Sequence, residues 1–299
     1  MSGHRDHTAA YDLHLHTYWS YDAEAEPVHH FERARALGVK CIAITDHHVL
    51  DSLPELLEIA RDFPDVSMIP SAELSVSTSI GAVDLLCFGF PPVLSTAVTR
   101  MLEAYHEWQR AYGSAISAGL EALGHAFSDE DRLSLLKTYR PEKTIQLQGN
   151  THIKGGAMRQ FCVDRGYMAS FAEYGDLMEQ AARKVPFPNY PDVKDVVPAV
   201  KGDGALVAIA HPHLYFNRGD VDRMDHLRDE CGLDGVEVAH PSVPDAFVPV
   251  YREYCERHGM FSTGGSDCHT DDDIERVFAA HGGPDEWLDE FLDRVGNVS

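Results

Sequence analysis

The most apolar runs of this chain end, again and again, in ionisable residues. YDLHLH (11–16) ends in two histidines, VKCIAITDHH (39–48) in Asp46, His47 and His48, and ALVAIAHPH (205–213) in His211 and His213. GVEVAH (235–240) carries Glu237 and His240, and GMFSTGGSDCH (259–269) closes on Asp267 and His269. Runs this continuous suit strands buried on both faces. Helical patterns separate them, at about 24–37, 52–62, 221–231 and 245–258, and Gly38 stands where a helix C-cap belongs. The strand–helix–strand rhythm predicts parallel strands joined by helices. In an α/β barrel the C-terminal strand ends converge on one face, so residues far apart in sequence can share one site.

Spacing sharpens the chemistry. Residues i and i+2 of a strand point to the same face, so His14 and His16 can reach one ion, as can Asp267 with His269 and His211 with His213. A single such pair has little weight. Three pairs beside carboxylates are costly to bury unless a metal or partner compensates them. Imidazole plus carboxylate is the donor set of zinc, manganese or iron(II). The six cysteines are scattered with no CxxC, so neither a thiolate zinc site nor a disulfide framework is expected, and Cys268 reads as a buried filler between two candidate ligands.

Beyond Pro91-Pro92 the rhythm breaks. Residues 97–123 look helical, although Gly113 and Gly119 argue against one continuous helix. Residues 96–200 read as an inserted, mainly helical lobe between barrel segments 11–95 and 201–299. The chain's 299 residues suffice for such a barrel with an insertion. Its net charge of -23 disfavours long nucleic acids as partners but does not bar a small anion from a locally cationic site. Met1–Ala10 is polar with no apolar h-region, and no run approaches membrane-spanning length, so no membrane contact is expected and a cytoplasmic location follows by default. Oligomeric state is not legible. There is no Walker loop and no GxGxxG, so nucleotide cofactors are not indicated.

YDLHLHTYWSYDA, AITDHH, Glu73, LVAIAHP, DGVEVAHPS and GGSDCH, in this order, resemble the motifs of the PHP (polymerase and histidinol phosphatase) superfamily of metallohydrolases. The resemblance spans about residues 11–275 and is weakest across the lobe. It implies an α/β fold, a distorted (β/α)7 barrel, with two or three divalent ions, Mn, Zn or Fe. It places His14, His16, Glu73 and Asp267 at a first ion. Glu73 and His211 then serve a second, and His47, His269 and Asp22 a third. Asp84 in VDLLCFG stands where the family commonly has a histidine. It is read either as a harder ligand to the second ion or as an acceptor for a ligating histidine.

The remaining polar residues divide into roles. Asp46 is the expected orienting partner of an imidazole. His213 and His240 are candidates to protonate a leaving alcohol. His48 is a candidate substrate contact, or simply exposed. His152, Lys154 and Arg159 in GNTHIKGGAMRQF, or Arg218 in HLYFNRGD, are candidates to grip a phosphate. Gly264-Gly265 suggests either tight backbone packing beside the metal or the turn after a strand. The leading expectation is a metal-dependent hydrolase of a small phosphoester, a phosphomonoester or small diester, using metal-activated hydroxide. Metal-assisted amide-type hydrolysis of a non-phosphate substrate and a metal-stabilised, non-catalytic binding module are the alternatives.

Overall fold

A computed structural model describes residues 8–296; most of the polar stretch Met1–Ala10 lies outside them. Seven strands follow one another around a single sheet in chain order: β1 Tyr11–Leu15, β2 Cys41–Ile44, β3 Ser67–Thr78, β4 Gly81–Phe88, β5 Leu206–Ile209, β6 Gly235–Ala239 and β7 Phe261–Gly264. The sheet curls into a near-closed barrel. The segment after β7 returns to β1, where Asp267 N donates to His14 O and His16 N to Cys268 O, both at 2.9 Å.

The expectation of parallel pairing holds for β1–β2–β3 and β5–β6–β7. It fails at β4, which runs antiparallel to both neighbours. No helix intervenes between β3 and β4, only a hairpin at Ser79-Ile80, with Gly81 at φ 123°. Asp84 therefore does not lie at a C-terminal strand end. It lies in the first half of a reversed strand, opposite Ser75, which returns it to the same mouth of the barrel.

On the barrel side the helices are α1 Pro27–Leu37 and α2 Leu53–Ala60, and then α3 Thr96–Ala122 leads into the inserted segment. That segment continues through α4 Asp129–Leu136, α5 Glu142–Gln148, α6 Gly155–Asp164, α7 Tyr174–Lys184 and α8 Val193–Gly202. α9 Pro212–Tyr215, α10 Val221–Cys231, α11 Val248–His258, α12 Asp271–Val277 and α13 Asp285–Gly296 complete the chain. Gly38 caps α1 in the left-handed region at φ 72°. Thr270 and Asp273 form a capping box that starts α12 directly after His269. Among the described residues no helix is long and apolar enough to cross a membrane.

The largest core packs much of the barrel, with Phe88, Phe261 and Phe291 edge to face at 5.0–6.4 Å, and a smaller one packs Leu15, Ile42 and Ile44 against α1, α2 and α12. Each buried ring of this kind contributes about 1.5–3 kcal/mol. Val98, Met101, Leu102 and Tyr105 of α3 and four valines of α8 belong to the largest core, whereas Ile116 to Leu177 gather a separate one in the helical segment. α3 runs unbroken through both glycines because each admits a close neighbour. A Cβ on Gly113 would lie 2.9 Å from His152 N, and one on Gly119 2.9 Å from Ala181 O of α7. Gly119→Ala is thus expected to pry α3 from α7 and lower unfolding stability by about 1–3 kcal/mol, read by denaturant or thermal unfolding.

Candidate metal centre

The barrel mouth collects histidines and carboxylates from all seven strands or the loops that follow them. Their donor atoms fall into overlapping sets, within 4.8 Å in each: His14, His16 and Glu73; His14, His240 and Asp267; Glu73, Asp84 and His211; and His16, His47 and His269. His14, His16 and Glu73 are almost wholly buried.

Glu73 joins two of these sets. Its Oε2 lies 2.9 Å from His14 Nε2 and 3.2 Å from His16 Nε2, while its Oε1 lies 3.1 Å from His211 Nε2. Asp267 Oδ1 closes the first set at 3.4 Å from His14 and 3.1 Å from His16. Asp22 Oδ2 stands 3.5 Å from both His47 Nε2 and His269 Nε2. Donors about 2.1 Å from a tetrahedral ion lie about 3.4 Å from one another, so these separations suit small divalent cations. Asp22 Oδ1, His47 Nδ1 and His211 Nδ1 are buried with no hydrogen-bond partner, further donor capacity left open at the site.

The electrostatics agree. Burial works against a charged His14, but Glu237, Glu73 and Asp267 outweigh it and hold its pKa well above the ordinary value. Burial likewise opposes charge on His211 and His269, yet Glu73 raises the first to about 9 and Asp22 the second to about 10. Carboxylates that favour a proton on these rings also favour a divalent cation between them.

The backbone around the cluster is strained. His211 (φ 28°), Asp267 (φ 56°) and His48 (φ 64°) all sit in the left-handed region that non-glycine residues avoid. Each such residue costs about 1–3 kcal/mol and persists where its surroundings over-determine it, most often at functional sites.

Supporting contacts fix the rings. Glu237 accepts from His14 Nδ1 at 2.8 Å and from His211 N at 2.6 Å, so one buried carboxylate on β6 orients ligands on β1 and beyond β5. Glu237→Gln is expected to weaken metal affinity about 10–100-fold, measured by titration of metal-stripped protein. Asp46 points away from the cluster. It accepts from Thr17 N (2.7 Å), Thr17 Oγ1 and Ser20 Oγ. Ser20 Oγ in turn meets His16 Nδ1 at 3.2 Å and accepts from His47 N at 2.8 Å. Asp46 therefore reaches His16 and His47 only through Ser20. Cys268 is fully buried, as expected of a filler.

Asp84 is shared. Oδ1 accepts from Ser75 Oγ, and Oδ2 accepts from Tyr215 Oη at 2.5 Å and lies 3.7 Å from His211 Nε2. Sequence reasoning missed Tyr215, because a lone tyrosine in a short helix gives no signal. His240 meets Asp267 Oδ2 at 3.4 Å. His213 does not join the cluster: its Nδ1 bonds Tyr251 Oη at 3.1 Å and its ring packs on Phe247.

The residues expected to grip a phosphate have other neighbours in the structure. Burial lowers His152 to about 3, so it is neutral among Tyr21, Trp108 and Tyr112. His48 is also held well below its usual value by burial, and it stacks on Tyr105. Lys154 Nζ pairs with Glu24 at 2.9 Å, near the rim, and Arg159 lies over the Tyr174 ring. Arg218 is exposed in the left-handed turn after α9.

A model of the PHP domain matches residues 12–186, more than half of the chain. A 3',5'-nucleoside bisphosphate phosphatase of Chromobacterium violaceum is 27% identical over 263 residues, covering 86% of each chain. A phosphoribosyl 1,2-cyclic phosphate 1,2-diphosphodiesterase of Eggerthella lenta is 40% identical over 83 residues, 27% of this chain and 29% of that one. In fold, the chain is similar to a Bifidobacterium adolescentis protein assigned provisionally to the metal-dependent phosphoesterases (TM-score 0.71, 23% identity, 95% and 96% of the two chains covered). It is similar also to an amidohydrolase of Chromobacterium violaceum solved with sulfate and no metal (TM-score 0.68, 24% identity, 94% and 97% covered).

Proposed function

The chain belongs to the PHP domain family, and on that premise we propose that it hydrolyses a small phosphomonoester, a nucleotide or sugar phosphate, with two or three divalent cations held at the barrel mouth. At the coarser level it is a metal-dependent hydrolase acting on a small phosphate ester. The observation that carries the reading is Glu73, whose two oxygens face separate donor sets and so suit a carboxylate bridging two ions. Relatives that act on a nucleoside bisphosphate and on a phosphoribosyl cyclic phosphate support the substrate class.

His14, His16, Glu73 and Asp267 are proposed to hold a first cation, Glu73, His211 and Asp84 a second, and Asp22, His47 and His269 a third. The nitrogen–oxygen donors suit manganese, zinc or iron(II), and the carboxylates at the second position favour a harder ion such as manganese. When bound, such ions acidify water and neutralise charge on the attacked and leaving oxygens.

His240 is the residue placed to deliver a proton. Ser242 N can only donate, and it does so to His240 Nδ1 at 3.0 Å. In the neutral ring the proton therefore sits on Nε2, which faces Asp267 at the mouth. Arg218 and Lys154 remain the candidate cations to meet a phosphate from the rim. Partly exposed rings of Tyr21 and Tyr190 beside His48 suit a flat or sugar-like leaving group. A cytoplasmic location fits six cysteines that are all unpaired and buried.

The test is turnover of a panel of nucleotides, sugar phosphates and amino-alcohol phosphates alongside amide substrates, with manganese added. Phosphate release is the expected outcome. Turnover of amides alone selects amide hydrolysis and rejects the proposal.

A further inference from the structure

The loop after β1 carries Asp22, and it is held from two sides. The barrel holds its base: Asp46 accepts from Thr17 and Ser20. The helical lobe holds its crest. Arg140, between α4 and α5, is buried at 4% exposure and donates to Tyr18 O at 3.4 Å and to Trp19 O at 3.2 Å. Gln148 Nε2 donates to the same Trp19 carbonyl at 3.2 Å, and Tyr139 Oη donates to Tyr21 O at 2.9 Å. The Tyr21 ring lies 3.9 Å from the His152 ring of the lobe. The next residue is Asp22, midway between His47 and His269.

Arg140 is an unusual tether. All its hydrogen-bond partners are neutral: two main-chain carbonyls, Gln148 Oε1 and Thr151 Oγ1. A guanidinium presents five donors in a rigid fork, and here the fork spans lobe and loop at once. Truncating it would strip the Tyr18 carbonyl of its lobe donor and leave Gln148 as the lobe's donor to the Trp19 carbonyl, which loosens the loop crest against the lobe. The base of the loop, bonded to Asp46, would be untouched.

We infer that Arg140, assisted by Tyr139, is a positioning residue for the third cation: docking of the helical lobe on the 17–22 loop places Asp22 against His47 and His269. The inference rests on the reading of those three residues as ligands. The lobe is then part of the metal centre's scaffold as well as its cover, and the first cation, held wholly by barrel residues, is independent of it.

The experiment is calorimetric titration of manganese into metal-stripped wild type, Asp22→Asn, Arg140→Met and the double variant, with thermal unfolding of each. Asp22→Asn is expected to weaken one class of site, and Arg140→Met to weaken that same class about 10–100-fold, the range for contacts that orient ligands. The remaining sites should bind as in wild type, and the double variant should bind no more weakly than Asp22→Asn alone. Arg140→Met with all sites at wild-type affinity overturns the inference, as does uniform weakening of every site. If Arg140→Met shows no cooperative unfolding, Tyr139→Phe carries the test: weakening confined to the Asp22-dependent class supports the inference, and unchanged affinity there overturns it. Wild type that binds like Asp22→Asn removes Asp22 as a ligand and the inference with it, an outcome seen without any Arg140 variant.

Discussion

Asp267→Asn is expected to cut phosphate release by about a thousandfold, equivalent to about 4 kcal/mol of transition-state stabilisation, while the protein stays folded. The side chain keeps its size but loses the charge on which the site converges. Its Oδ1 meets both His14 and His16, and its Oδ2 meets His240. The variant therefore disturbs the first cation set and the proton-bearing imidazole together. The barrel should survive, because the Asp267 link to β1 runs through main chain, Asp267 N to His14 O. Steady-state phosphate release with manganese at saturation, checked against circular dichroism, measures it. Activity within tenfold of wild type would remove Asp267 from the site.

The second large effect falls on a residue with no side chain. A Cβ on Gly265 would lie 2.2 Å from His14 Cβ and 2.6 Å from His14 N. Neither atom can yield without moving β1, since His14 O is itself bonded to Asp267 N. Gly265→Ala is expected to lower stability by about 3 kcal/mol, the upper part of the range for overpacking, and to abolish tight metal binding by displacing His14 from Glu73 and Asp267. Thermal unfolding and metal titration measure the two parts separately. A variant that melts and binds metal as wild type does would contradict the close packing described here.

The glycine pair shows what kind of information the sequence carried. Gly264-Gly265 before SDCH suggested close packing or a turn, and the structure supplies the neighbours: His14 for one, Ala239 and His281 for the other. The shared face of His14 and His16 was legible for a similar reason. Strand alternation is local, so His14 and His16 share a face whatever the rest of the chain does. α10 could be placed from its pattern, and it runs Val221–Cys231.

What stayed hidden depended on tertiary contacts. AVDLLCFGF is apolar in either direction, so periodicity could not tell that β4 is reversed; the Ser79-Ile80-Gly81 hairpin was the only local mark. Gly113 and Gly119 read as helix breakers because the segments they admit, 151–152 and Ala181, are distant in sequence. His213 sits two residues from His211, but the chain enters α9 there, so strand alternation no longer applies and the ring turns to Tyr251. The partners of Lys154 and Arg159, Glu24 and the Tyr174 ring, were not legible either. Arg140 gave no signal at all, since TYRPEK resembles any exposed helix link until the lobe folds over the β1 loop.

The most direct test is phosphate release by the intact protein before chelation, after complete metal removal, and after stepwise return of manganese. Loss of turnover on stripping and its recovery with added manganese is the predicted result. Undiminished hydrolysis of phosphate esters by protein shown to hold no divalent metal would contradict it.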